Sequence, residues 1–143
     1  MATTYTSDYA GYPGSAHDLA GVQHTAYATY EIGAALVVND VIQMLKVPAN
    51  ARITGCVLKT DDLDTDGTPA IVLDVGDTGD TDRLIDGATV GQAGGTSSAL
   101  VSSTGQFYQY TAETMISVLV QVAPATGATS GTIELAVSYV VAP

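Results

Sequence analysis

The chain has 143 residues, enough for one domain whose core needs no disulfide or metal staple. Only 13% of residues are charged, yet 15 acids face 4 bases, for a formal net charge of -11. That field repels phosphate backbones and anionic membrane surfaces, which argues against nucleic acid and membrane as partners. Hydrophobic residues make up 46%, so the chain is not an acidic disordered tail.

Residues 1–24 stand apart from the rest. Tyr5, Tyr9 and Tyr12 sit among Thr, Ser, Gly and Asp, and Tyr12-Pro13-Gly14 is a turn signal. Two readings stay open for this stretch: a frayed terminus, or an extended arm whose tyrosines pack against a neighbouring subunit. Met1-Ala2-Thr3-Thr4-Tyr5 has neither a basic region nor an apolar core, so no secretory signal is expected there. Together with a lone cysteine, Cys56, this points to synthesis in a reducing cytoplasm.

From residue 25 to residue 143 the chain reads as strands. A first strand spans Tyr27 to Ile32. In Val41 to Val47, strict alternation puts Val41, Gln43, Leu45 and Val47 on one face and Ile42, Met44 and Lys46 on the other. Pro48-Ala49-Asn50 is a turn. Arg52 to Thr60 follows, with Gly55 marking a bulge or close backbone approach. Ala70 to Val75 is a short strand rich in branched residues. Thr81 to Asp86, ahead of Gly87, has the signals for one or two helical turns. Gly91 to Thr104 reads as a long surface loop. Gln106 to Thr111 is a strand carrying Phe107, Tyr108 and Tyr110.

The last third has the cleanest alternation. Ile116, Val118, Val120 and Val122 share one face of Thr114 to Val122, and Ile133, Leu135, Val137 and Tyr139 share one face of Thr132 to Val141. The Gly/Ser/Thr-rich residues 123–131 between them suggest a long hairpin. Seven or eight short strands at this spacing predict an all-β fold: a β-sandwich of jelly-roll or other Greek-key form, with an extended N-terminal arm.

The signals of catalysis are missing. His17 and His24 both fall in the poorly patterned N-terminal stretch, away from a rigid scaffold. No G-x-S-x-G elbow and no phosphate-cradling glycine motif occurs. Cys56, in mid-strand among Thr, Gly and Val, reads as a buried structural thiol. The chain is therefore expected not to be an enzyme.

Acids are the one chemically pointed feature. Nine of the 15 lie between Asp61 and Asp86. Asp62-Leu63-Asp64-Thr65-Asp66-Gly67 matches the first half of a calcium loop, in which short carboxylates converge on a hard cation. Its second half departs from the pattern, with Leu73 where a bidentate Glu belongs. The same residues read more readily as a solvated turn around Asp66-Gly67. Calcium held by Asp62, Asp64 and Asp66 is thus one of two expectations. Paired carboxylates also raise glycoside hydrolysis, but a chain without Trp lacks the aromatic platforms expected of a sugar-cleaving site. The other use of the acids is a hydrated negative face toward a basic partner.

Several stretches carry a family likeness: Asn39 to Asp64, with its Val47-Pro48-Ala49 and Asp61-Asp62-Leu63 strand ends; Pro69 to Asp77, with Leu73-Asp74-Val75-Gly76-Asp77; Ala88 to Gly95; and the Gly/Thr/Ala-rich residues 123–131. In these the chain resembles small virion structural proteins of tailed bacteriophages, over roughly residues 25–142. The resemblance implies a non-enzymatic β-sandwich on the capsid surface of the virion, of the decoration or cement type. It implies a homotrimer that binds the major capsid protein, with Tyr5, Tyr9 and Tyr12 of the arm as partner-binding candidates. The alternative from another class is a virion-surface adhesin or carbohydrate-binding module that uses calcium at Asp62, Asp64 and Asp66.

Overall fold

A computed structural model describes residues 1–8, 10–11 and 22–141. Among the described residues, nine strands form two sheets: β1 (Thr4–Thr6), β2 (Gln23–Ile32), β3 (Val41–Val47), β4 (Ala51–Thr60), β5 (Val72–Gly76), β6 (Ile85–Ala88), β7 (Gly95–Ser97), β8 (Thr114–Val122) and β9 (Gly131–Val141). One sheet has the order β1-β3-β8-β5-β6, the other β2-β9-β4-β7. Apart from β1, which joins β3 in parallel, the pairings are antiparallel. Setting β1 aside, β2 pairs with β9, β3 with β8, β4 with β7 and β5 with β6. That is a nested order, in which a long two-stranded ribbon has been rolled into two sheets, as in a jelly roll.

The core fills the space between the sheets. Ile116, Val118 and Val120 of β8 face Ile133, Leu135, Val137 and Tyr139 of β9, all of them buried. The expected hairpin of β8 and β9 is therefore corrected. The two strands lie in different sheets, β8 between β3 and β5 and β9 between β2 and β4. Each has one apolar face, and those faces meet across the sandwich rather than side by side. The loop of residues 123–130 is long enough to cross from one layer to the other. Val122 leaves the core and is exposed.

Bulges in β4 and β3 set the phase of those strands. The register of β4 on β9 shifts between Ile53 and Gly55, where the glycine signalled it. A second shift, between Gln43 and Leu45 on β3, leaves Met44 without a partner on β8. It also breaks the strict alternation expected there: Ile42, Met44, Leu45 and Val47 are all buried, because the extra residue turns the second half of the strand over.

Three further expectations change. The helical turns at Thr81 to Asp86 are absent: residues 81–84 form a turn and Ile85 opens β6, with Leu84 and Ile85 both drawn into the core. The long loop from Gly91 contains the end of a short 3-10 turn (Val90–Gln92) and the strand β7, and Gly91 is buried beside Ile71 and Leu63. Residues 106–111 form no regular strand. Phe107 takes φ of 61° and is exposed, yet the chain still runs along the start of β4, with Phe107 N–H donating to Ile53 O and Tyr110 N–H to Ala51 O, both at 2.9 Å.

Candidate functional site

The acidic segment is built from turns that carboxylates close. Asp62 Oδ1 accepts from Asp64 N–H at 3.1 Å, Asp64 Oδ1 from Asp66 N–H at 3.2 Å, and Asp66 Oδ1 from Thr68 N–H at 3.4 Å. Asp64 Oδ2 also accepts from Ala70 N–H (2.7 Å) and Ile71 N–H (2.9 Å). Burial alone would raise the Asp64 pKa, but these backbone donors hold it below the ordinary carboxylate range. The side chains proposed as calcium ligands thus turn toward the backbone, and among the described residues no three His, Cys, Asp or Glu side chains group as a metal site.

The reading of the acids as a hydrated face is corrected in part. Asp64, Asp74 and Asp77 of this segment are buried. Asp77 is the hub of a second cluster. Its Oδ2 accepts from Arg83 Nε (2.6 Å) and from the Tyr110 hydroxyl (2.9 Å), and its Oδ1 from Gly79 and Asp80 N–H. Arg83 stacks 3.9 Å above the ring of Tyr108, which meets Tyr110 edge-on. Burial pushes the Asp77 carboxyl up, but Arg83, Tyr110 and Gly79 outweigh it and hold the pKa low. Burial and the Asp77 bond push the Tyr110 hydroxyl upward. Gly76 permits the tight 76–81 turn, since a Cβ there would collide with the backbone of Asp80 and Thr81.

At the N-terminus, β1 sits on the edge of β3. Val41 N–H donates to Thr3 O (2.9 Å), and Ser7 N–H to Gln43 O (2.7 Å). The Ser7 hydroxyl donates to the carbonyl of Met44, the residue the bulge leaves unpaired on β8. Asp40, 0% exposed, receives Thr3 N–H on Oδ1 (2.7 Å) and Val37 N–H on Oδ2 (2.9 Å). Tyr5 packs at 5.8 Å, centroid to centroid, on Tyr30. Of the tyrosines expected to bind a partner, Tyr5 therefore touches its own chain, while Tyr9 and Tyr12 lie outside the described residues, as does His17. The polar seat of Asp40 was missed from sequence, although an acid directly after Asn39 at a strand start is a turn signal.

The outer face of the four-stranded sheet is the remaining feature. Tyr27, Ala136 and Val57 lie in one row across β2, β9 and β4, with Thr29, Glu134 and Lys59 in the next. Glu134 accepts from the Tyr27 hydroxyl and from Lys59 Nζ, both at 2.6 Å. Tyr27 is 50% exposed. Cys56, on the opposite face of β4, is buried, and burial pushes its thiol up to about 12, so it is inert. Every Lys and Arg is held by its own chain: Lys46 by Glu113, Lys59 by Glu134, Arg83 by Asp77 and Asp80, and Arg52 by Phe107 O and Gln109 Oε1.

No family model matches the chain, and no curated protein matches it. Solved structures do. A chain of the capsid of Ralstonia phage GP4 is 33% identical, with 98% of this chain and 99% of that one covered and a TM-score of 0.83. A chain of the capsid asymmetric unit of cyanophage Pam1 is 32% identical over 90% and 91%, with a TM-score of 0.77. A chain of the acidic stable capsid structure of Helicobacter pylori bacteriophage KHP30 shares the fold at 12% identity and a TM-score of 0.61.

Proposed function

Since the chain belongs to a family of phage virion structural proteins found in capsids, we propose that it is a decoration, or cement, protein of the phage head. In this reading it self-associates as a homotrimer, binds the major capsid protein on the outside of the shell, and stabilises that shell without catalysing a reaction. The observation that carries the reading is likeness to a phage capsid chain over nearly the full length of both, at 98% and 99%.

Charge supports it. All four cationic side chains are held within the chain, and 15 acids outnumber them, so the chain carries a net negative field. A partner complementary to that field is cationic, and the attraction steers binding and weakens with salt. Exposed apolar groups, among them Tyr27, Val57, Val38 and Phe107, supply contact area. Each contact is repeated by symmetry over the shell.

Light scattering and co-sedimentation test the proposal. The expected native mass is three times the 14.6 kDa of the chain. The protein is expected to sediment with heads that lack it and to be released as salt rises. A monomer that stays in the supernatant at low salt would contradict it.

A further inference from the structure

We infer that the β3 edge is a socket for the N-terminal strand of a second copy of this chain, so that β1 is exchanged between subunits. The inference rests on the self-association proposed above and names where it occurs.

The socket is formed by residues outside β1. Asp40 N–H donates to Val37 O (3.1 Å) and Val37 N–H to Asp40 Oδ2 (2.9 Å), a closed turn that fixes the carboxylate. That leaves Oδ1, in a side chain with no exposure, aimed at whichever backbone N–H takes the place of Thr3. Val41 N–H, Gln43 O and the bulge carbonyl of Met44 line the same edge. Emptying the socket would strand a buried carboxylate oxygen and an edge of backbone polar groups, which is costly. The socket therefore has to be filled.

Nothing in it requires that the filler come from the same chain. Among the described residues β1 pairs with β3 alone, at the outer end of its sheet, so no other described strand depends for its pairing on where β1 originates. The bonds of Thr3 and Ser7 and the Tyr5–Tyr30 contact are the same in either case. Which chain supplies the strand is then decided by effective concentration and reach. The seated segment runs on to Ala10, which is buried and whose N–H donates to Ser7 O; twelve residues, Gly11 to Val22, then lead to β2, a tether of up to about 40 Å when extended. That exceeds the ~30 Å width of a small domain. A copy packed against this one in an oligomer can present its socket within that reach, and exchange then converts a contact internal to one chain into an interface at no cost in surface.

The test is a pair of cysteines at Thr6 and Gln43, opposite one another in the β1–β3 register and within disulfide reach for adjacent strands. Thr6→Cys/Gln43→Cys protein is first weighed by light scattering, then oxidised and run on a denaturing gel without reductant, with each single variant as control. The expected result is loss of both new thiols and covalent oligomers closing at the native mass, with the single variants running as lone chains. An oligomer whose disulfides form only within chains would overturn strand exchange and leave self-association standing. A monomer by light scattering would overturn both. Free thiols in every sample would contradict the pairing and with it the inference.

Discussion

Strands β8 and β9 and the segment from Asp61 to Asp86 are held by different physics. The strands give one apolar face each to the core, through Val118, Val120, Leu135, Val137 and their neighbours. The segment adds buried carboxylates to its apolar residues: Asp64 closes a turn through three backbone N–H groups, and Asp77 joins a turn, an arginine and a tyrosine. One region is stabilised by area removed from water, the other by charge-assisted hydrogen bonds that replace water around a buried anion. The same acids that give the chain its negative field are thus also its internal fasteners.

The largest break in this comparison is on the apolar side. Leu135→Ala should cost about 2–5 kcal/mol, because the side chain is fully buried between the sheets and leaves a cavity. That corresponds to a fall in Tm of roughly 10 °C, readable by scanning calorimetry. Asp77→Ala should come next, near 3 kcal/mol, since Arg83 and the Tyr110 hydroxyl lose their shared acceptor.

Acid separates the regions further. The Asp77 and Asp64 carboxyls are held below their ordinary values, so their stabilisation is complete above the unfolded pKa, about 3.9, and is lost as pH falls through the lower folded values. Urea midpoints should therefore drop below about pH 4, and Asp77→Asn should flatten that slope whereas Leu135→Ala should only displace it. Asp74 runs the other way. Burial, with the charge of Asp86, raises its pKa despite the Gly87 N–H bond, so its stabilisation is lost as pH rises. Asp74→Asn keeps an acceptor for Gly87 and should raise the stability at pH 7, by less than about 1 kcal/mol, seen as a higher urea midpoint.

Calcium should have the smallest effect. Each of Asp62, Asp64 and Asp66 already accepts a backbone N–H, so calcium or a chelator should leave the Tm unchanged. A saturable rise that Asp64→Ala and Asp66→Ala abolish would show the acidic turns acting as a cation site.

These two regions were unequally legible. Alternation in Thr114 to Val122 and Thr132 to Val141 marked both strands nearly to the residue, and the buried faces matched except at Val122. Their partners were not legible, because a period of two says that a face is buried and not which sheet buries it. The acidic segment looked solvated because composition counts a carboxylate as hydrated wherever it stands. An Asp is short enough to turn back on its own loop, and the choice of Asp64, Asp74 and Asp77 over Asp82 and Asp86 depends on packing around Ile71, Leu73 and Tyr110. The seat of β1 was hidden for a related reason: it needs the bulge at Met44 and the buried carboxylate of Asp40, neither of which alternation marks.

The measurement that bears most directly on the account is the temperature at which heads release their DNA, followed with an external dye, with and without this protein. Heads lacking the protein should release at a lower temperature, and adding it back at low salt should restore the higher one in proportion to the amount bound. An unchanged release temperature at full occupancy would contradict a cementing role.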